Sequence, residues 1–390
     1  MSKISRPLRV AILAHSTNPR GGVVHALELA DALTRLGHEA TVHAPDSGGR
    51  GFFRAPLTPA VTVIASNVAS NVAAMVEGRI ADYVRHFQDP ANRRFDIFHA
   101  QDAISGNALA TLKQRGLIER FARTVHHIDR FDDPRLQTWQ RRAIEAADEL
   151  FVVSELWRER IRSDFGRRAT RVGNGVDTTR FTPAGSALDL ELRGKYGLEG
   201  DPILLSVGGV EDRKNSVRIL EAFQQILSLH PTAQLVIAGG ASLLDHSSYR
   251  QRFDRLIATN RELERAVIRL GAVPDAEMPS LYRLADALIF ASVKEGFGLV
   301  VLEAMACGIP VVTSRIAPFT EYLRDDDVIW CDPLNTASIA NAMATAVTEP
   351  LHARLARRGP LVARPHDWTS TAQAHLPVYR QLMEQLACPR

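Results

Sequence analysis

At 390 residues the chain is too long for one typical hydrophobic core, and it predicts two domains of under about 200 residues each. Hydrophobic residues make up 45% and charged residues 23%, as in ordinary globular proteins, and no apolar segment reaches the length that spans a bilayer. A net charge of +3 suits a phosphorylated ligand and argues against a nucleic-acid-binding protein.

The cysteines favour a reducing compartment. Cys307, Cys331 and Cys388 form no CxxC pair and are odd in number, which favours free thiols over a disulfide framework. The apolar run over 10–14 is too short for the core of a signal peptide. We therefore expect a cytoplasmic protein. Arginines clustered over 158–171 favour a solvated helix face and leave open a patch that contacts an acceptor or an anionic inner membrane face.

Short apolar or β-branched runs alternate with amphipathic segments along the whole chain. The predicted strands, in chain order, are 8–14, 39–44, 61–65, 96–100, 124–127, 150–153, 203–207, 234–238, 267–270, 287–291, 310–313 and 328–331. The predicted helices between them include 23–36, 135–147, 216–229 and 278–285. Such alternation predicts parallel sheets covered by helices, the doubly wound α/β class.

The alternation pauses over 180–201, which predicts a domain boundary. We expect an N-terminal Rossmann-like domain over 1–182 and a C-terminal one over 183–367. Apolar residues at helical spacing predict a terminal helix in 368–390 that needs a surface to pack on. Because doubly wound sheets bind ligands at the carboxyl ends of their strands, the loops after strands are the candidate sites.

The first candidate loop follows the first strand. Gly21 and Gly22 lie where the chain turns into a helix, so backbone N–H groups and the helix dipole could meet an anion there. A plain tight turn accounts for the paired glycines equally well. His126 and His127 end a later strand, where a histidine either contacts a ligand or caps the sheet.

The second candidate loop opens the second half of the chain. Gly208 and Gly209 are followed by Arg213 and Lys214. Cations after a glycine turn, at the start of a helix, suit a diphosphate. The alternative is that both cations pair at the surface with the acids at 211 and 212.

The most informative segment is 295–312, where Glu295 and Glu303 stand in an apolar run that contains no cation. A carboxylate left unpaired in a protein interior costs several kcal/mol. Protein cations are the usual partners of such a carboxylate, and the hydroxyls of a bound sugar are another possibility. A buried salt bridge for Glu303 and an exposed position for Glu295 are the alternatives. The glycines ahead of the predicted helix 299–307 would leave N–H groups suited to a phosphate.

Other site motifs are missing from the sequence. Zinc-ligand spacing, a GxSxG elbow and a Walker P-loop are absent. The GxGxxG fingerprint is incomplete, which argues against a nicotinamide enzyme.

Taken together, these loops resemble those of the retaining glycosyltransferases of family 4, which have the GT-B architecture of two Rossmann-like domains facing a central cleft. The similarity runs over nearly the whole chain. It rests most on Glu-Gly-Phe-Gly-Leu at 295–299 and on Glu-Ala-Met-Ala-Cys-Gly-x-Pro-Val-Val at 303–312, and less on Asn-Gly-Val-Asp at 174–177. The resemblance implies a hexosyltransferase that moves a sugar from a nucleotide-diphosphate sugar to a hydroxyl acceptor with retention at the anomeric carbon.

The resemblance also implies roles for individual residues. Glu303 would bind the ribose hydroxyls, and Glu295 would contact the transferred sugar. His126 would lie beside that sugar, while Lys214, helped by Arg213, would hold the diphosphate. The other donor contacts are implied for Gly21, Gly22, Gly209, Gly271, Val273, Phe297, Gly298 and Leu299.

The chain departs from the family pattern at two places. Gly209 stands where many members carry an arginine on the diphosphate, so either Arg213 compensates or the donor is bound differently. Residues 317–320 replace the usual paired glycines before Glu321. With cations to neutralise the leaving group, no metal and no cofactor is expected. The alternatives to transfer are a GT-B nucleotide-sugar epimerase and a non-catalytic sugar-nucleotide-binding subunit.

Overall fold

The computed structural model describes residues 6–66, 71–240 and 246–387. Cys388 lies outside these ranges. None of the helices within them combines the length and the apolar content that crossing a bilayer requires.

The chain divides into two compact units, residues 1–174 with 368–390 and residues 175–367. The second unit begins ahead of the predicted boundary at 182/183. Arg180 pairs with Asp275 at 2.7 Å, and the rings of Phe181 and Tyr282 lie 5.9 Å apart. The segment before 183 therefore packs within the second unit.

The first unit is built on a seven-stranded parallel sheet. Its strands are β1 (Arg9–Leu13), β2 (Glu39–Asp46), β3 (Ala60–Ile64), β4 (Ile97–Ala100), β5 (Ala122–Val125), β6 (Glu149–Val152) and β7 (Thr170–Arg171). They lie side by side in the order β3-β2-β1-β4-β5-β6-β7. The six longer strands agree with the predicted ones. β7 has two residues, too few for a periodic pattern to show.

Helices cover this sheet because its central strands are apolar on both faces. They are α1 (Gly21–Arg35), α2 (Val72–Gln88), α3 (Ala103–Gln114), α4 (Pro134–Glu145) and α5 (Glu155–Phe165), with a 3₁₀ turn at Pro90–Arg93. The start of α3 is set by a capping box, in which Asp102 accepts from the Ser105 N–H at 2.9 Å.

The second unit has a six-stranded parallel sheet in the order β10-β9-β8-β11-β12-β13. Its strands are β8 (Ile203–Val207), β9 (Gln234–Ala238), β10 (Val267–Gly271), β11 (Ala287–Phe290), β12 (Val311–Ser314) and β13 (Ile329–Cys331). Its helices are α6 (Ala187–Lys195), α7 (Ser216–Leu227), α8 (Ser247–Ala258), α9 (Arg261–Ala266), α10 (Met278–Arg283), α11 (Leu299–Ala306), α12 (Phe319–Tyr322), α13 (Thr336–Ala346) and α14 (Leu351–Ala363). Two Rossmann-like units of parallel strands and covering helices confirm the predicted fold class.

The last helix, α15 (Trp368–Ala387), belongs to the first unit. Its apolar face packs along α1, and Trp368 and Tyr379 are buried there. The Tyr379 hydroxyl lies 2.7 Å from Nδ1 of His99 on β4. The terminal helix thus finds its packing surface on the first sheet.

The order of strands reverses beside β1 in the first sheet and beside β8 in the second. The loops after β1 and β4 therefore leave the same edge next to each other, as do the loops after β8 and β11. Most of the predicted site residues lie in these loops or in the first two turns of the helices that follow them.

Candidate functional site

The centre of the site in the second unit is a cluster of one acid and two cations. The carboxylate of Glu295, after β11, lies 2.8 Å from Arg213 Nη1 and 2.8 Å from Lys214 Nζ, which both follow β8. Glu295 is 7% exposed, so its charge is compensated inside the protein. The alternative of an exposed Glu295 is therefore wrong. Its cationic partners come from outside the segment, because β8 and β11 are neighbours in the sheet.

Burial and ion pairing shift the pKa values of Glu295 and Lys214 in opposite directions. Burial alone would raise the pKa of the Glu295 carboxyl, but the charges of Lys214 and Arg213 outweigh it and hold that pKa below its ordinary value. Burial lowers the pKa of the Lys214 ammonium, and Glu295 opposes this shift. The Lys214 ammonium also lies 4.2 Å from the centre of the Phe290 ring. The cluster is thus a charged one, with its lysine largely removed from water.

The alternative in which Arg213 and Lys214 pair with the acids at 211 and 212 is realised only in part. Arg213 Nη2 lies 3.6 Å from Glu211, a longer contact than its contact with Glu295. The loop itself is held by Asn215, whose side-chain amide donates to the Ala291 carbonyl at 3.0 Å. Asn215 adopts a left-handed conformation with φ of 62°. This anchor was not predicted, and the Arg-Lys-Asn sequence contains no periodic signal for it.

Gly209, the position where the family usually has an arginine, is packed against another backbone segment. A Cβ atom there would lie 2.5 Å from the carbonyl oxygen of Gly240, which follows β9. That contact leaves no room for a side chain with the loops in this arrangement. Arg213 is therefore the arginine that this loop presents beside Lys214.

The start of α11 depends on a second glycine. Gly298 caps the helix with φ of 93°, and a Cβ atom there would lie 2.5 Å from the Phe319 ring. Leu299 is the first helical residue, as predicted. The Phe297 ring stacks on Tyr322 at 4.7 Å, and the Tyr322 hydroxyl donates to the Phe297 carbonyl at 3.0 Å. Aromatic residues thus support the loop at the place where the paired glycines before Glu321 are missing.

Glu303 lies in the second turn of α11 and is only partly buried. The hydroxyl of Tyr282, on α10, lies 2.7 Å from Glu303 Oε2. Burial raises the pKa of Tyr282 well above its ordinary value, and the charge of Glu303 adds to the shift, so the hydroxyl is the donor. Tyr282 was not predicted as a site residue, because it stands among other apolar residues of a helical pattern.

The remaining predicted donor contacts in this unit lie at the end of β10. Gly271 accepts from the Gly239 N–H through its carbonyl at 2.7 Å, and Val273 follows as a partly exposed residue. Gly209 and Gly239 lie in the loops after β8 and β9, and Gly271 ends β10, so all three lie at the same edge of the sheet.

The predicted residues of the first unit also come together. α1 begins at Gly21, and a Cβ atom on Gly22 would lie 3.3 Å from Cδ2 of His126. His126 Nε2 lies 2.9 Å from Oε1 of Gln101, which follows β4. The ring of His25 lies edge-on to His126 at 4.9 Å. Gln101 and His25 were not predicted, and the sequence offers no periodic signal for either.

The predicted site residues are divided between the two units. Gly21, Gly22 and His126 lie in the first unit, and Gly209, Arg213, Lys214, Gly271, Val273, Glu295, Phe297, Gly298, Leu299 and Glu303 lie in the second, where Arg213 and Lys214 contact Glu295 directly. Across the described parts of the chain, no three His, Cys, Asp or Glu side chains are grouped so that they could hold a metal ion. Paired cations at a helix start attract anionic groups, and carboxylate oxygens accept hydrogen bonds from hydroxyls.

Comparison with known proteins shows the family and the fold of the chain. The model described as "Glycosyltransferase Family 4" matches residues 19–180, and "Glycosyl transferases group 1" matches residues 189–361. The protein is an enzyme of the hexosyltransferase class, with the GT-B fold. It belongs to glycosyltransferase family 4.

Relatives of similar length carry transferase names. The chain is 28% identical to D-inositol 3-phosphate glycosyltransferase of Acidothermus cellulolyticus, over 97% of this chain and 91% of the relative. It is 28% identical to phosphatidyl-myo-inositol mannosyltransferase of Mycobacterium tuberculosis, over 94% and 95% of the two chains. These names favour transfer over the epimerase and over the non-catalytic subunit.

Solved structures share the fold at lower identity. Sucrose-phosphate synthase from Thermosynechococcus elongatus superimposes with a TM-score of 0.79 at 20% identity, covering 97% of this chain and 99% of the other. Anabaena HepE in complex with UDP and glucose gives a TM-score of 0.76 at 18% identity, covering 96% and 100%.

Proposed function

We propose that the protein transfers a sugar from a nucleotide-diphosphate sugar to a hydroxyl acceptor with retention at the anomeric carbon. The observation that carries the proposal is the cluster of Arg213, Lys214 and Glu295 at the edge of the second sheet. The cations suit the diphosphate, and Glu295 and Glu303 can accept hydrogen bonds from the sugar and ribose hydroxyls. HepE, which shares the fold, was solved with UDP and glucose, and this supports a nucleotide-sugar donor.

The reaction that fits these residues is a front-face displacement. The bond between the anomeric carbon and the diphosphate oxygen breaks, and the acceptor oxygen bonds to the same face of that carbon. The acceptor proton passes to the departing phosphate oxygen, so no protein nucleophile is required. Negative charge on the diphosphate is largest in the transition state, where Arg213, Lys214 and the N–H groups at the start of α11 stabilise it most.

Glu295 has two successive roles in this proposal. Without donor it holds the two cations in place through 2.8 Å contacts. When the diphosphate engages these cations, the carboxylate is released to accept hydrogen bonds from the transferred sugar. The cations are thereby positioned in advance, which reduces the reorganisation needed during the reaction.

The proposal needs no resident metal or cofactor, because Arg213 and Lys214 supply the positive charge. Activity should therefore persist in the presence of EDTA, and loss of activity that Mg²⁺ restores would refute this part.

We also propose a cytoplasmic location, supported by the buried free thiols of Cys307 and Cys331.

Lys214→Ala tests the proposal. Loss of one positioned charge should lower kcat by roughly 10²–10³, by analogy with oxyanion-hole deletions. Lys195→Ala is the matched control, because Lys195 lies in the same unit and pairs with Glu277 at the surface. A screen of uridine, guanosine and adenosine diphosphate sugars by thermal shift supplies the donor, and NMR of the product gives its anomeric configuration. Near-normal turnover of Lys214→Ala, or an inverted product, would refute the proposed mechanism.

A further inference from the structure

Behind His126 lies a buried glutamine that the proposed mechanism does not use. Gln101 is 3% exposed, and its backbone N–H donates to the Leu13 carbonyl at 2.9 Å. The residue is therefore held by the sheet at the junction of β1 and β4. Its side-chain oxygen lies 2.9 Å from His126 Nε2.

The other end of the same amide faces a second histidine. Gln101 Nε2 lies 3.5 Å from both ring nitrogens of His99. Those nitrogens already have hydroxyl partners, Tyr379 at 2.7 Å and Thr124 at 2.8 Å. His99 is thus occupied, and the short contact of the glutamine is the one with His126.

We infer that Gln101 is a positioning residue that selects the tautomer of His126. Its carbonyl oxygen accepts the proton on Nε2, so that Nδ1 keeps its lone pair and accepts a hydrogen bond from a hydroxyl of the bound sugar. This inference rests on the proposed function and on the family resemblance, which implies that His126 lies beside a bound sugar. A histidine with the opposite tautomer would offer that hydroxyl a donor instead of an acceptor.

The surroundings of His126 keep the ring neutral, which the inference requires. Burial lowers its pKa well below the ordinary value. The charged or titratable groups that face it from the neighbouring elements act in the same direction, namely His25, His127, Arg123 and His15. With one proton on the ring, the partner of Nε2 decides which nitrogen carries it.

The orientation of the His126 ring decides which of its nitrogens faces Gln101. Gly22 lies against its Cδ2–Nε2 edge, where an added Cβ would be 3.3 Å from Cδ2, and His25 lies edge-on to the ring. A half-turn of the ring about its Cβ–Cγ bond would put Cε1 in the place of Nε2 and lose the 2.9 Å contact with Gln101. The tautomer, and not a ring flip, is then the variable that Gln101 controls.

The direct test uses the whole protein without substrate. Nitrogen-15 labelled histidine gives separate NMR signals for protonated and bare ring nitrogens, and the His126 signals are identified by their loss in His126→Gln. We expect a protonated Nε2 and a bare Nδ1 in the wild type, and a mixture of tautomers in Gln101→Met. A proton on Nδ1 in the wild type, or an unchanged tautomer in Gln101→Met, would overturn the inference.

A second variant keeps the test informative should Gln101→Met fold poorly. Gln101→Glu preserves the shape and the acceptor and adds a negative charge, so it should raise the pKa of His126. The acid limb of the profile of kcat/KM against pH should then move to higher pH, because His126 gains its second proton earlier as pH falls. An unmoved profile would contradict the assignment.

The size of the change in kcat distinguishes a positioning role of Gln101 from a general loss of folded protein. Loss of one hydrogen bond should lower kcat up to roughly tenfold in Gln101→Met. Gln101→Glu should retain most activity at high pH. Gln114→Met, a change of an exposed residue at the end of α3, is the matched control and should leave activity unchanged. The NMR measurement needs no turnover, so its result is independent of the activity assay. The tautomer inference can therefore be refuted while Lys214→Ala still supports the proposed function, and the proposed function can be refuted while the tautomer is as expected.

Discussion

Replacing Gly209 with alanine is the sharpest test of how the second unit holds its cations. The added Cβ would lie 2.5 Å from the Gly240 carbonyl oxygen. No rotation of a side chain relieves a contact between a Cβ and a backbone oxygen, so the loops after β8 and β9 must move apart. Overpacking of this kind costs about 1–3 kcal/mol.

This cost is measurable as thermal stability. For a unit of this size, it corresponds to a fall in Tm of roughly 2–12 °C. Gly194→Ala is the matched control in the same unit, since a Cβ on Gly194 in α6 would meet no atom within 4 Å. Alanine is favoured over glycine inside a helix by roughly 0.5–1 kcal/mol, so this control should melt at or slightly above the wild-type temperature.

The same geometry bears on donor binding. Gly209→Arg should not improve the affinity for the nucleotide sugar, because the arginine can enter only if the loop that carries Arg213 and Lys214 shifts. Differential scanning fluorimetry of the three variants, with and without donor, measures both effects. A Gly209→Ala variant as stable as the wild type, or a Gly209→Arg variant that binds donor more tightly, would refute the reasoning from this contact.

Two further predictions concern the loop before α11 and the buried histidines. Tyr322→Phe removes the hydrogen bond to the Phe297 carbonyl and keeps the ring stack, so a net loss of about 1 kcal/mol predicts a donor Kd up to roughly fivefold higher by calorimetry; an unchanged Kd would show that the bond does not support the loop. Burial lowers the pKa of His25 to about 4 and of His375 to about 3, whereas both titrate near 6.5 in an unfolded chain. As pH falls from about 6.5 to 4, these two histidines bind protons in the unfolded chain but not in the folded one. The free energy of unfolding should therefore decline over that window. Melting curves should show this decline and a shallower slope for His375→Phe; equal slopes would remove His375 from the explanation.

The contacts within the site in the second unit could not be predicted from the sequence. Arg213, Lys214 and Glu295 were each predicted, but their mutual contacts were not, because Glu295 stands 82 residues from Arg213. The segment around Glu295 contains no cation, and within that segment a ligand was the natural partner for its charge. Only the neighbouring position of β8 and β11 supplies the cations from another loop.

The class of fold and the family could be predicted from the sequence. Alternating apolar and amphipathic runs follow from local backbone geometry, so they reveal parallel strands and covering helices without knowledge of distant contacts. Contacts between distant residues became visible only in the folded protein: Gln101 contacts His126, Tyr282 contacts Glu303, and the backbone at Gly209 lies against that of Gly240. Such contacts depend on the order of strands in a sheet, which no local pattern records, because hydrogen bonds and packing act through space between residues far apart in the chain.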